Sequence, residues 1–155
     1  MFFADPVAAF TNIGRALRAD GRLMLMVWQS IDRNHWIRDL SAILTAGRDV
    51  PAPPPGAPGP LSLADPDRVD ALLSESGFHD IALADVAAPM CFGATADDAF
   101  RFVSGMGFVQ FMLKDLDDSA RARALDELQS NIDAHASAEG VCYDSAAWLV
   151  NARRI

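Results

Sequence analysis

DPVAAFTNIGRALRADGRLMLMVWQ, residues Asp5 to Gln29, is the stretch whose reading decides the fold. It divides into a helix, a tight turn and an apolar strand. Asp5 suits an N-cap, because its carboxylate can accept from the first-turn amides, and Pro6 suits the first helical position, where no N–H is needed. Val7, Phe10, Ile13 and Leu17 recur at helical spacing and give the helix one apolar face. Asp20-Gly21 breaks it. Leu23 to Trp28 is an unbroken apolar run, too short to span a bilayer, and is expected to be a strand buried on both faces. A helix leading by a short turn into such a strand is half of an α/β unit. Trp28 and Gln29 then stand at the carboxyl end of the strand, the side on which open α/β sheets bind ligands.

Composition narrows the classes. The chain has 155 residues, enough for one domain with its own core, and 51% of them are hydrophobic, which excludes general disorder. Its net charge of −8 argues against nucleic acid as the main partner, since phosphate binding requires a basic face. With no long apolar run and no basic-then-apolar leader pattern, no membrane partner is expected and the localisation expected is cytoplasmic. Cys91 and Cys142 fit no metal or redox spacing and are expected as two reduced thiols in or near the core.

Working outward, Asn34 to Ala46 is a helical pattern carried by Trp36, Ile37, Leu40, Ile43 and Leu44, with Asp32 or Asn34 as cap. Residues 51–60, PAPPPGAPGP, cannot hold a regular hydrogen-bond ladder and are expected as an exposed surface loop within one domain, 1–155. Asp65-Pro66 opens another helix, with Val69, Leu72 and Leu73 on its apolar face and Gly77 after it. His79 to Val86 alternates as a half-exposed edge strand. Thr95-Ala96-Asp97-Asp98 has a capping-box pattern. The apolar stretch after it, Phe100 to Met112, is interrupted by Gly105 and Gly107, which predicts two short helices or a kink. Asp117 or Asp118 caps a long helix with Leu125, Leu128 and Ile132 on its buried stripe, so residues 95–137 form a helical cap. Ala146 to Ala152 is the last strand.

The ordered succession of MFFADPVAAFTNIGRALRADGRLMLMVWQ, Leu63 to Val69, Ser76-Gly77-Phe78 and Ala147-Trp148-Leu149-Val150 resembles the latter half of class I S-adenosylmethionine-dependent methyltransferases. The likeness is greatest to the subgroup related to the ubiquinone and menaquinone biosynthesis enzymes, and it covers essentially the whole chain. The resemblance implies an α/β, partial Rossmann-like methyltransferase fold of about three strands and four to six helices, with the last strand antiparallel between the other two. It implies that Met1 to Ala4 is the stub of a preceding strand, with Met1, Phe2 and Phe3 beside the cofactor's methionine part. The Gly-rich cofactor loop and the ribose-binding carboxylate of the family would lie N-terminal to Met1. S-adenosylmethionine is therefore implied by the family, yet this chain alone is expected not to bind it and to be inactive.

The acceptor side offers Trp28, Gln29 and Trp36, with His35 as candidate base. Phe100, Met106 and Phe108 would suit an apolar small molecule, or else form core or interface, the reading favoured by the absence of the family's front half. His79 and His135 are given no role. The three histidines make no ligand set, and no metal is expected. The edge Leu23-Met24-Leu25-Met26-Val27 lacks the neighbour that the family's fourth strand provides. The chain is therefore expected to form a homodimer or to join a chain carrying the N-terminal half. The alternative function is a cofactor-less module, derived from a methyltransferase, that binds an apolar ligand or dimerises.

Overall fold

The computed structural model describes residues 1–51, 53, 54 and 56–155. Of the Pro-rich loop, Ala52 and Pro55 lie outside the described residues, while Pro51, Pro53, Pro54, Pro58 and Pro60 are exposed. The described elements run α1 Pro6–Ala16, β1 Arg22–Trp28, a 3-10 turn Ile31–Arg33, α2 His35–Thr45, α3 Pro66–Glu75, β2 Phe78–Gly93, α4 Ala96–Ser104, α5 Gly107–Leu113, α6 Asp118–Ala134, β3 Ala136–Ser137 and β4 Gly140–Arg154. The fold is mixed α/β, with strand order β1-β4-β2 and the short β3 paired to β4.

Local chemistry starts the helices where side-chain oxygens are available. Asp5 Oδ1 accepts from the Ala8 amide at 2.9 Å, and Asp117 Oδ1 from Ala120 at 2.8 Å. Asp65 Oδ1 accepts from Asp67 at 3.0 Å. At α4 the Thr95 hydroxyl oxygen accepts from the Asp98 amide at 3.2 Å and donates to the Asp98 carboxylate at 2.9 Å. Each such cap satisfies an amide that the helix itself leaves without an acceptor, worth about 1 kcal/mol.

The chain divides into two compact units: Met1–Arg33, Ala52–Ala87 and Ala146–Ile155 form one, Asn34–Pro51 and Ala88–Ser145 the other. In the first unit β4 runs antiparallel to β1, with Leu23 opposite Ala152, Leu25 opposite Val150 and Val27 opposite Trp148. These residues point to one face, where α1 and α3 bring Phe10, Val69, Leu72 and Leu73, and Phe78 completes the core. Burying each such side chain contributes roughly 1.5–3 kcal/mol. The opposite face carries Met24, opposite Asn151, and Met26, opposite Leu149. Met24 is 59% and Met26 62% exposed. The expectation of a doubly buried strand is thus corrected. Its apolar composition is continuous, but only alternate side chains are covered.

Met1 to Ala4 is not a strand either. The Met1 carbonyl accepts from the Gly59 amide at 3.0 Å and the Ser62 hydroxyl at 2.7 Å, so this end follows the 59–62 segment instead.

In the second unit, Leu40, Leu44, Val103, Val109, Leu113, Leu128 and Ile132 are buried by α2, α4, α5 and α6. The break expected at Gly105 and Gly107 separates α4 from α5. Arg48 secures the end of α2, donating to the carbonyls of Leu44 at 3.1 Å, Thr45 at 3.0 Å and Met112 at 2.9 Å. Its charge also complements the negative end of the helix dipole.

The two cysteines are not reduced thiols: Cys91 on β2 and Cys142 on β4 form a disulfide, their Cα atoms 4.0 Å apart. They are 51 residues apart in sequence, and the sheet alone brings them together.

Candidate functional site

At the carboxyl end of β1 the chain turns inward, and Gln29 is only 3% exposed. Its amide nitrogen Nε2 donates to the Ala147 carbonyl at 3.0 Å and to Asp85 Oδ1 at 2.5 Å. Its backbone N–H donates to the Ala146 carbonyl at 3.0 Å. One side chain therefore ties the end of β1 to β4 and β2. Arg33, in the 3-10 turn, places Nη1 3.3 Å from Asp85 Oδ1. The Gln29 hydrogen bond and the Arg33 guanidinium hold the Asp85 carboxyl below the ordinary aspartate range. Gln29, expected at an acceptor pocket, thus has a structural duty first, while Trp28 is half-buried beside it on β1.

Phe2 and Phe3 are 70% and 48% exposed, and the Phe3 ring meets Phe10 edge-on at 6.3 Å. Met1 is half-buried and packs on the core of the first unit. The recess lined by Met1, Phe3, Pro6, Phe10, Ser62, Leu63 and Arg68 has room of about 10 Å³, one water molecule at most. It does not fit S-adenosylmethionine. Asp5, in the same stretch, is occupied as the α1 cap.

His35 opens α2 in the second unit, and its Nδ1 lies 3.4 Å from Asp144 Oδ2 on β4. Trp36 is buried and meets Phe92 edge-on at 6.0 Å. Phe92 in turn stacks on Phe102 at 5.9 Å and meets Tyr143 at 5.5 Å. His135 stacks on Tyr143 at 4.0 Å, and the Tyr143 hydroxyl donates to Asn131 Oδ1 at 2.9 Å. Burial, with the Asp39 carboxylate, pushes the Tyr143 phenol up to about 12. Phe100, Met106 and Phe108 are all half-buried, the first on α4, the second at the N-cap of α5 and the third on α5.

Sequence reasoning missed Asp85 and Arg33 in one unit and Phe92 and Tyr143 in the other; it gave His135 no role and held Phe102 only within the apolar stretch Phe100 to Met112. Asp85 left no signal, since its side chain is 52% exposed and reads as an ordinary edge-strand charge. Phe92 left none, because β2 runs seven residues beyond the Val86 at which the alternation ends.

Among the described residues no three His, Cys, Asp or Glu side chains gather as metal ligands, and no helix is long and apolar enough to cross a membrane. No family model matches the chain, and no curated protein matches it in sequence.

Proposed function

We propose that this chain is the rear part of a class I S-adenosylmethionine-dependent methyltransferase fold. It methylates a small apolar acceptor when a cofactor-binding front half is present. The observation that carries this reading is the strand order: the last strand, β4, lies antiparallel to β1 and between it and β2. An antiparallel strand arriving last in the chain and inserting between two earlier ones is a specific topology, and it is the one the methyltransferase resemblance implies. The size of the Met1–Phe3 recess supports placing the cofactor seat elsewhere. On this reading the chain supplies acceptor-side groups, with His35 oriented by Asp144 as proton acceptor and Phe100, Met106 and Phe108 as apolar lining.

Calorimetric titration tests it. S-adenosylmethionine added to the purified 155-residue chain should give no saturable heat. The same titration with a polypeptide that carries a cofactor-binding front half present should give a one-site curve. Stoichiometric binding by the chain alone overturns the claim that its cofactor seat lies elsewhere. No binding in either case overturns the methyltransferase reading.

A second reading, an assembly module derived from that fold, is favoured by a separate observation. Among the described residues β1 pairs only with β4, and beside its open edge Met24 and Met26 are exposed. Unpaired backbone groups next to apolar side chains recruit another strand.

A further inference from the structure

The Cys91–Cys142 bridge lies outside the groups used above, and its surroundings give it a role. Cys91 is exposed and Cys142 half-buried, so an external thiol can reach the bond. The segment it closes holds all of α4, α5, α6 and β3. The next residue on each strand points inward: Phe92 and Tyr143 are 7% and 1% exposed and meet each other in the aromatic cluster with Trp36, Phe102 and His135. Close by, the strand backbones nearly touch. Gly140 has φ +106°, and a Cβ there would come 2.6 Å from the Gly93 carbonyl oxygen. The Cys142 sulfur lies 4.0 Å from the Glu139 carbonyl, an acceptor that a thiol would use and a disulfide sulfur cannot.

We propose that Cys91–Cys142 is a redox switch that sets the order of the helical segment and of the aromatic cluster beneath it. A thiolate of a dithiol or glutathione-class reductant attacks the exposed Cys91 sulfur, and the Cys142 thiolate leaves and takes up a proton. A second reductant thiol then attacks its own sulfur in the mixed disulfide and releases Cys91, which is protonated in turn. Two electrons and two protons are delivered, and the reductant departs as a disulfide. Oxidised, the bond clamps β2 to β4 at the base of the cluster. Reduced, the loop entropy it suppressed returns to the unfolded chain, and opening of the segment becomes easier.

The test uses the full chain, without denaturant, in dithiothreitol at low millimolar concentration. Mass spectrometry after alkylation should count no free thiol before treatment and two after it. The melting temperature should fall by roughly 10 °C. Near-UV circular dichroism from the aromatic cluster should weaken, and proteolysis between α4 and α6 should accelerate about tenfold. Cys91→Ser should behave like the reduced chain and ignore reductant. If that variant does not fold, the wild-type comparison decides alone. Two alkylatable thiols in the chain purified under air, reduction only in denaturant, or an unchanged melt and spectrum after reduction would each overturn the proposal.

Discussion

Tyr143 shows how much one buried side chain can hold at once. Its ring takes Phe92 edge-on and stacks with His135, while its hydroxyl donates to Asn131. The phenol is pushed from 10.0 to about 12, so the folded state keeps its proton where the unfolded chain loses it. The stability this contributes is fully present below pH 10 and is lost as pH rises to about 12. Two pKa units correspond to about 3 kcal/mol. In urea melts from pH 8 to 12, Tyr143→Phe should flatten that alkaline loss. At neutral pH the variant should be less stable by about 1–3 kcal/mol, because Asn131 loses its donor. An alkaline limb as steep in the variant as in the wild type would show that another group carries it. Gln29 teaches a related lesson. A polar residue at a strand end looked available to a ligand, but its side chain is spent on Ala147 and Asp85.

At the scale of the element, β1 is the feature most exposed to consequence. Its extent, Arg22–Trp28, was legible to within one residue in the apolar run Leu23 to Trp28, and so was the helix before it with its Asp5 cap. What the run could not tell is which faces are covered, because continuous hydrophobicity erases the alternation that would distinguish them. One face is built into the core and the other leaves Met24 and Met26 in solvent. The expected outcome is concentration-dependent association of the purified chain. Met26→Lys should weaken it at least tenfold in sedimentation equilibrium, since a charge beside an open edge opposes strand addition. The fold should survive, because Met26 is 62% exposed. A wild-type chain that stays monomeric at high concentration would refute the idea. β2 shows the opposite error. Its edge position was legible in the alternation from Ile81 to Val86, but its continuation to Gly93 was not, for Ala87 to Met90 carries no period.

For the whole molecule, the net charge of −8 acts between copies rather than within any one site. Association of like-charged chains should strengthen when salt rises from about 0.01 to 0.15 M, as the Debye length shrinks from roughly 30 to 8 Å. Light scattering over that range checks it. Weaker association at the higher salt would mean that attraction between opposite charges, not apolar strand pairing, holds the copies together.

The chain's own order of residues determined the helices and the side-chain caps of α1, α3, α4 and α6, because capping, glycine breaks and 3.6-residue periods act over a few neighbours, whereas Asn34, expected as a cap of α2, makes no side-chain cap hydrogen bond. It also determined that one apolar strand follows the first helix and that another strand ends the chain. Only the tertiary structure decided which strands are neighbours, and with them the Cys91–Cys142 bond, the Gln29–Asp85 tie and the cluster around Phe92 and Tyr143. The Cys91–Cys142, Gln29–Asp85 and Phe92–Tyr143 joins link residues about 50 or more positions apart, and no local pattern encodes them. They arise from burying one face of a sheet, which also leaves Met24 and Met26 in water.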